Sequence, residues 1–385
     1  MTSAAASPDA DRLQRLAAYL EQDPKNAALL ADACDAAIAC GRHEQAQAYI
    51  VRGEAGDADA AAWLFRRSRI AIARRELPQA SELLERLRNT AGDQPVLAHD
   101  LAYVRLLQGE FESCRATVQP WLEREQAGEH RASLQVLWLR AMHRLGRGDE
   151  ALEWARARVA AGTLEPAARG PASLIALDLE DFVLARDWAD RALAADPRQA
   201  EALVARGCVA LATGDPQRAR QWLQAALECN PDDGRTWSAL GMASLQAQDL
   251  PLAESQLECA VSGMPGHVGS AHALGWSRLL QGKHEGALAA FLHALEIDRN
   301  FAETHGAIGL VLALRGDAEG SRRHLELADR LDAANVTGRY ARALLAGEAG
   351  DRAALQRLAR RLLDRPGFFG STLGEAVASH TQNRA

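Results

Sequence analysis

AEALVARGCVALATGDPQRARQWLQAALECNPDD (Ala200–Asp233), GRTWSALGMASLQAQDLPLAESQLECAVSGMPGH (Gly234–His267) and VGSAHALGWSRLLQGKHEGALAAFLHALEIDRNF (Val268–Phe301) repeat one pattern three times in blocks of 34. Gly207, Gly241 and Gly275 share the eighth place of their blocks. Ala219, Ala253 and Ala287 share the twentieth, and Ala226, Ala260 and Ala294 the twenty-seventh. Pro231 and Pro265 close two of the blocks. A fixed period of this length implies a solenoid of stacked helix pairs, each too small to bury its apolar face alone.

The recurring residues have physical reasons. Trp237, Leu240, Gly241 and Ser244 lie at i, i+3, i+4 and i+7, one face of a helix. Glycine inside a helix is about 1 kcal/mol worse than alanine, so Gly241 must permit something in return. Close packing against Ala253 and Ala260 of the second helix is the expected return. Gly214-Asp215, Gly282-Lys283 and Gly316-Asp317 occupy the turns between the two helices, where glycine suits a positive φ and aspartate caps the next helix. Pro197, Pro231 and Pro265 stop the second helix, since proline has no N–H and clashes with the preceding turn.

The middle block, with Trp237, Leu240-Gly241, Ala253, Ala260 and Pro265, closely resembles the motif of the tetratricopeptide repeat (TPR) family, whose period is 34 residues. The resemblance implies an all-α fold, a right-handed superhelical solenoid of about ten TPR-like antiparallel helix pairs. The frame extends in both directions, with blocks starting near Ala27, Ala61, Pro95, Ala132, Pro166, Ala200, Gly234, Val268, Ala302 and Val336. Residues 1–26 then form an N-terminal tail and capping helix, 27–165 divergent repeats, 166–369 regular repeats and 370–385 a C-terminal tail. Two stretches break the frame. Leu122–His130 inserts extra residues, read as a longer second helix and loop. Thr163–Pro171 (TLEPAARGP) would place Pro171 inside a helix, so that helix should start late, near Pro171, and form a seam.

The net charge is −7, with acids and bases interspersed, which argues against nonspecific binding to nucleic acid. Met1–Arg12 shows neither a basic patch nor an apolar run, and no apolar stretch reaches the roughly 18 residues of a membrane span. A cytoplasmic protein is therefore expected, and the Arg-rich composition points to GC-rich, bacterial coding. The six cysteines form no CxxC pair. Cys34 and Cys114 replace small residues of other blocks and should be small buried thiols.

No catalytic or metal-binding pattern is present: no HExxH, no GxSxG, and GWSRLLQGKH (Gly275–His284) fails as a phosphate loop in spacing and context. No enzyme and no cofactor are expected. What remains is surface. The family resemblance assigns places two, five, nine and twelve of each first helix to a concave groove that binds a peptide or partner helix. Here those places and their neighbours offer Phe65, Arg69, His99, Tyr103, Arg140, His143, Cys208, Met242, His272, Trp276 and Tyr340. Arginine with aromatic residues is a mixture that binding hot spots favour. The same residues admit a plainer reading, with Arg69 and Arg140 solvated and Trp276 packed between neighbouring helices. Carboxylate-gripping members of the family use Lys and Asn where this chain has Ala31, Asp35, Phe65, Arg69, His99 and Tyr103, so that subtype is not indicated. The expected function is noncatalytic protein binding, as adaptor, scaffold or chaperone. A ligand sensor that flexes at Thr163–Pro171 is the alternative, and RNA binding is disfavoured by a groove that is neutral or acidic from Glu201 onward.

Overall fold

In the computed structural model, residues 8–56, 59–124, 127–346 and Arg357 are described. The chain falls into two compact units, residues 1–168 and 169–385. The first holds α1 (Pro8–Gln22), α2 (Ala27–Ala39), α3 (His43–Glu54), α4 (Ala60–Ala73), α5 (Leu77–Ala91), α6 (Pro95–Gln108), α7 (Phe111–Glu123), α8 (Arg131–Arg144) and α9 (Gly148–Ala160). The second holds α10 (Arg169–Asp178), α11 (Phe182–Ala195), α12 (Ala200–Ala212), α13 (Pro216–Cys229), α14 (Gly234–Gln246) and α15 (Leu250–Gly263). It continues with α16 (Val268–Leu280), α17 (His284–Ile297), α18 (Ala302–Leu314), α19 (Ala318–Leu331) and α20 (Val336–Leu345). Among the described residues every regular element is a helix. Nine antiparallel pairs follow α1, and α20 opens a tenth; the sequence reads the last pair as Tyr340–Leu363, ended by Pro366-Gly367, with a further short helix at Thr372–Ser379, and beyond α20 these readings lie outside the described residues.

The helix starts follow the sequence frame closely, because each is fixed by a local signal. Asp215, Asp233, Asp249 and Asp317 each accept a hydrogen bond from a first-turn amide of their own helix. Place fifteen of each of the nine pairs turns through a positive φ. Six of these turns use glycine, among them Gly214 and Gly282, while Arg75, Glu180 and Gln248 adopt the same conformation with a side chain. Leu13, Leu16 and Leu20 of α1 are buried on the first pair with Leu30, Ala33 and Ile50, which closes that end of the core.

The close approach of paired helices is real, but its partner differs from the expected alanines. A Cβ built on Gly207 would lie 2.5 Å from Leu223 Cγ, and one on Gly241 2.5 Å from Leu257 Cγ. Gly309 faces Leu325 and Gly275 faces Phe291 in the same register. The glycine is thus a notch for the large apolar side chain sixteen residues later. Ala253 and Ala260 are fully buried on either side of Leu257 and fill the remaining space.

The two irregular stretches resolve differently from one another. α7 ends at Glu123 without lengthening, and Gly128–His130 forms a short 3₁₀ turn, so the extra residues do not extend the helix. In the other stretch, Pro166–Ala168 makes a 3₁₀ turn and α10 starts at Arg169, which puts Pro171 in the first turn, where its missing N–H is harmless. Gln135 of α8 holds the approach to this turn. Its amide nitrogen donates to the Thr163 carbonyl at 2.9 Å and its carbonyl accepts from the Glu165 amide at 2.9 Å.

Candidate partner-binding surface

The ninth place of each first helix is the informative row. In the first unit it carries Asp35 on α2, Arg69 on α4, Tyr103 on α6 and Arg140 on α8, all half-buried. In the second it carries Met242, Trp276 and Leu310 on α14, α16 and α18, all buried. The row of the second unit also holds Leu174, Cys208 and Leu344, all half-buried, so one register yields a polar, accessible wall along α2, α4, α6 and α8 and a sealed apolar stretch limited to α14, α16 and α18.

In the first unit, Asp35 is gripped from the next layer. Arg66 Nη2 donates to Asp35 Oδ2 at 2.8 Å while its guanidinium lies 5.2 Å from the Trp63 ring centroid. Arg69 Nη1 reaches Asp35 Oδ1 only at 3.5 Å, and its side chain keeps 41 % of its surface in solvent. Phe65 is half-buried and packs on the cluster of Leu84, Leu97 and Leu101, so it contributes an edge to this wall. His99 is half-buried with Nδ1 2.9 Å from Asp100 Oδ1, and its ring lies 6.1 Å from that of His130. Tyr103, Arg140 and His143 are half-buried on α6 and α8. Arg144 is turned aside, its guanidinium 5.2 Å from the Phe111 ring centroid.

Three of the expected groove residues lie inside the second unit instead. Met242, His272 and Trp276 are at most 2 % exposed. The reason is lateral hydrogen bonding and ring packing. Trp276 Nε1 donates to His272 Nε2 at 3.0 Å, which makes Nε2 the acceptor and leaves the ring proton on Nδ1 to meet Thr304 Oγ1 at 3.2 Å. Phe291 and Phe301 close on the same imidazole, with ring centroids at 5.1 and 5.3 Å. Burial pushes the His272 pKa down from 6.5 to about 3, so the ring is neutral. Met242 belongs to the cluster of Leu240, Leu245 and Leu257. For Trp276, packing between helices is the reading the structure selects. Cys208 and Tyr340 are half-buried.

One contact here was not legible in the sequence. Arg235 on α14 makes a two-pronged ion pair with Asp178 on α10, linking the first helices on either side of α12. Burial pushes the neighbouring Cys208 thiol up to about 11, with Arg235 opposing. The separation of 57 residues matches no simple multiple of the period, so no spacing rule announces it.

Among the described residues, no helix is long and apolar enough to cross a membrane, and no three His, Cys, Asp or Glu side chains are grouped to hold a metal ion. A family profile described as tetratricopeptide repeat matches residues 171–234 and 204–267. Among solved structures, the chain is similar to MamA, with 21 % identity over 41 % of this chain and 92 % of that one, at a TM-score of 0.38. It is also similar to YrrB, described as a TPR protein with an unusual peptide-binding site, with 18 % identity over 51 % of this chain and 97 % of that one, at a TM-score of 0.40. No curated protein matches the chain.

Proposed function

We propose that this chain, whose residues 171–234 and 204–267 match the tetratricopeptide repeat profile, is a noncatalytic interaction module that holds an extended acidic segment of a partner protein along α2, α4, α6 and α8. The observation that carries this reading is the ninth-place row. Asp35, Arg69, Tyr103 and Arg140 are half-buried in successive layers, whereas the matching row of α14, α16 and α18 is sealed. Half-buried arginine and tyrosine give large contact area with little entropy left to lose, the profile of a binding hot spot. Asp35 is held by Arg66 at 2.8 Å and by Arg69 only at 3.5 Å, so Arg69 is the guanidinium this wall can offer to a carboxylate, and the complementary segment is acidic. An adaptor, scaffold or chaperone role fits such a wall. The overall charge of −7 opposes phosphate-backbone binding, so nucleic acid is not the proposed partner.

The test is affinity capture from the native source with the full chain, comparing wild type with Arg69→Ala/Tyr103→Ala. Loss of two hot-spot side chains should weaken a captured partner by about thirtyfold or more. Retention of every partner by the double variant, with helicity unchanged, refutes the assignment.

A further inference from the structure

A second feature lies in the unit of residues 169–385, away from any inner-wall row. Arg186 of α11, Arg206 and Thr213 of α12, and Asp215 and Arg218 at the start of α13 line a recess of about 120 Å³, floored by Val209 and Ala210. At roughly 30 Å³ per water, that is room for about four waters. A group the size of a phosphoryl or carboxylate fits it.

The charges around this recess do not balance. Arg206 is sunk, its side chain 15 % exposed, with its guanidinium 5.5 Å from the Trp222 ring centroid. Its Nε lies 2.7 Å from Asp190 Oδ1 but without hydrogen-bond geometry. Arg186 reaches Asp190 only at 3.9 Å and is otherwise exposed. Arg218 is exposed, and Asp215 is committed to the Arg218 backbone amide at 3.0 Å. Three guanidiniums thus face two carboxylates. Burial, partly opposed by Asp190, pushes the Arg206 pKa down, and the charges of Arg186 and Arg218 push it the same way.

The equivalent junction two layers on shows what a balanced version looks like. There the place of Arg186 is taken by Glu254, which accepts from Arg278 Nε at 3.0 Å, Gln281 Nε2 at 2.9 Å and Lys283 Nζ at 2.5 Å. An acid in that place satisfies the surrounding donors. At the Arg186 junction the places of Arg278 and Lys283 are taken by Ala210 and Asp215, and the arginines come from other places, so what distinguishes it is the surplus of Arg186, Arg206 and Arg218 over Asp190 and Asp215.

We propose that the Arg186–Arg206–Arg218 recess binds an oxyanion of the phosphate type. Two exposed guanidinium arms flanking a sunk third offer several N–H donors to one tetrahedral group, the geometry in which arginine excels. The anion is either free phosphate or a phosphoryl group carried on a side chain.

Calorimetric titration of the full chain with inorganic phosphate, and separately with O-phosphoserine blocked at both ends, tests this at constant ionic strength against chloride. Saturable binding of at least one probe is expected. Arg186→Glu, which turns the surplus of one positive charge into a surplus of one negative charge, should weaken binding about tenfold or more, whereas Arg186→Lys should retain most of it. Tighter binding of blocked phosphoserine identifies a modified side chain as the source, and tighter binding of inorganic phosphate identifies the free ion. Absence of saturable binding for both probes, an equal response to chloride, or equal affinity in Arg186→Glu overturns the proposal. Circular dichroism of each variant, Arg186 being solvent-exposed, separates loss of the site from loss of the fold.

Discussion

Gly275→Ala sets two rules against each other, and the structure decides between them. Taken alone, alanine inside α16 should stabilise the helix by about 1 kcal/mol. A Cβ at that position, however, would stand 2.5 Å from Phe291 Cδ1 and 2.8 Å from Cζ. Phe291 is fully buried, with His272 and Trp276 packed against its ring. The ring must retreat by about 1 Å to restore ordinary contact. Overpacking of this kind costs about 1–3 kcal/mol, which exceeds the propensity gain. The expected net loss is about 1–2 kcal/mol. Urea unfolding followed by circular dichroism and tryptophan fluorescence measures it, both probes being needed because stacked repeats can unfold in parts. Phe291→Ala supplies the second arm of a double-mutant cycle. Alone it should destabilise by about 3–5 kcal/mol, but adding Gly275→Ala to it should then be neutral or stabilising, since the clash has gone. If Gly275→Ala is at least as stable as wild type, or equally harmful on the Phe291→Ala background, the notch argument is wrong.

His272 makes stability depend on pH in a defined direction. Its folded pKa is depressed to about 3 against 6.5 unfolded, so the unfolded chain takes up the proton first. Its contribution is complete above pH 6.5 and is lost as pH falls toward 3. Between pH 6.5 and 5 the loss is up to about 2 kcal/mol, and His272→Gln, which keeps an acceptor for Trp276 Nε1, should flatten the wild-type slope by that amount in urea titrations. The cysteines should react with a thiol reagent in order of access. Exposed Cys259 leads, while Cys34 and Cys114, fully buried and with pKa pushed up by burial to about 12, stay protected until unfolding. Arg235→Ala removes the positive charge that holds the Cys208 thiol down and leaves Asp178 and Asp233 to push it up, so it should slow the labelling of Cys208 specifically, as mass spectrometry of the labelled peptides would show. Gln135→Ala strips two backbone partners from residues 163–165 and should destabilise the first unit by about 2 kcal/mol. Faster amide exchange at Glu165 would report it, and an unchanged exchange rate would argue that another group holds the turn.

Repeat architecture was legible because its signals are local and fixed in place. A glycine at place eight, an alanine at place twenty and an aspartate before a helix each act within a few residues, so Gly207, Ala219 and Asp215 announce their roles without knowledge of neighbouring layers. The inner wall was only half legible because exposure there depends on the next layer. Trp276 and Tyr103 occupy the same place in their blocks. Trp276 is sealed because His272 accepts its N–H and Phe291 and the buried cluster of Ile308 and Val311 close around it. Tyr103, in the same place, stays half-buried. His272 lies one turn away on the same helix, but Phe291 sits on the paired helix and Ile308 and Val311 about one period on, where a helical-face argument does not look. The surplus arginine at the α11–α13 junction was hidden for the same reason. Arg186 and Arg206 look like ordinary solvated charges until α12 brings them to one recess.

The period that builds the stack also determines how easily a partner can engage it. Polar side chains on a first helix meet their counterparts one layer on, as Ser238 meets Ser270, His272 meets Thr304 and Glu303 meets Thr337. Where such a contact is buried, a partner would have to leave donors unpaired to displace it, at about 1–3 kcal/mol each. The Arg69–Asp35 contact is different. It is long, at 3.5 Å, and both side chains are more than a third exposed, so it contributes at most about 1 kcal/mol and less in salt. Asp35 also keeps Arg66 as its closer partner at 2.8 Å, so Arg69 can turn to an incoming carboxylate without stranding the aspartate. That asymmetry favours the first unit as the place where an acidic segment binds. It also requires the affinity to fall as salt rises, since salt screens the attraction that draws an acidic segment to Arg69 while the long Asp35 contact given up contributes little. A partner whose capture on the Arg69 wall is indifferent to salt would not be held by this exchange.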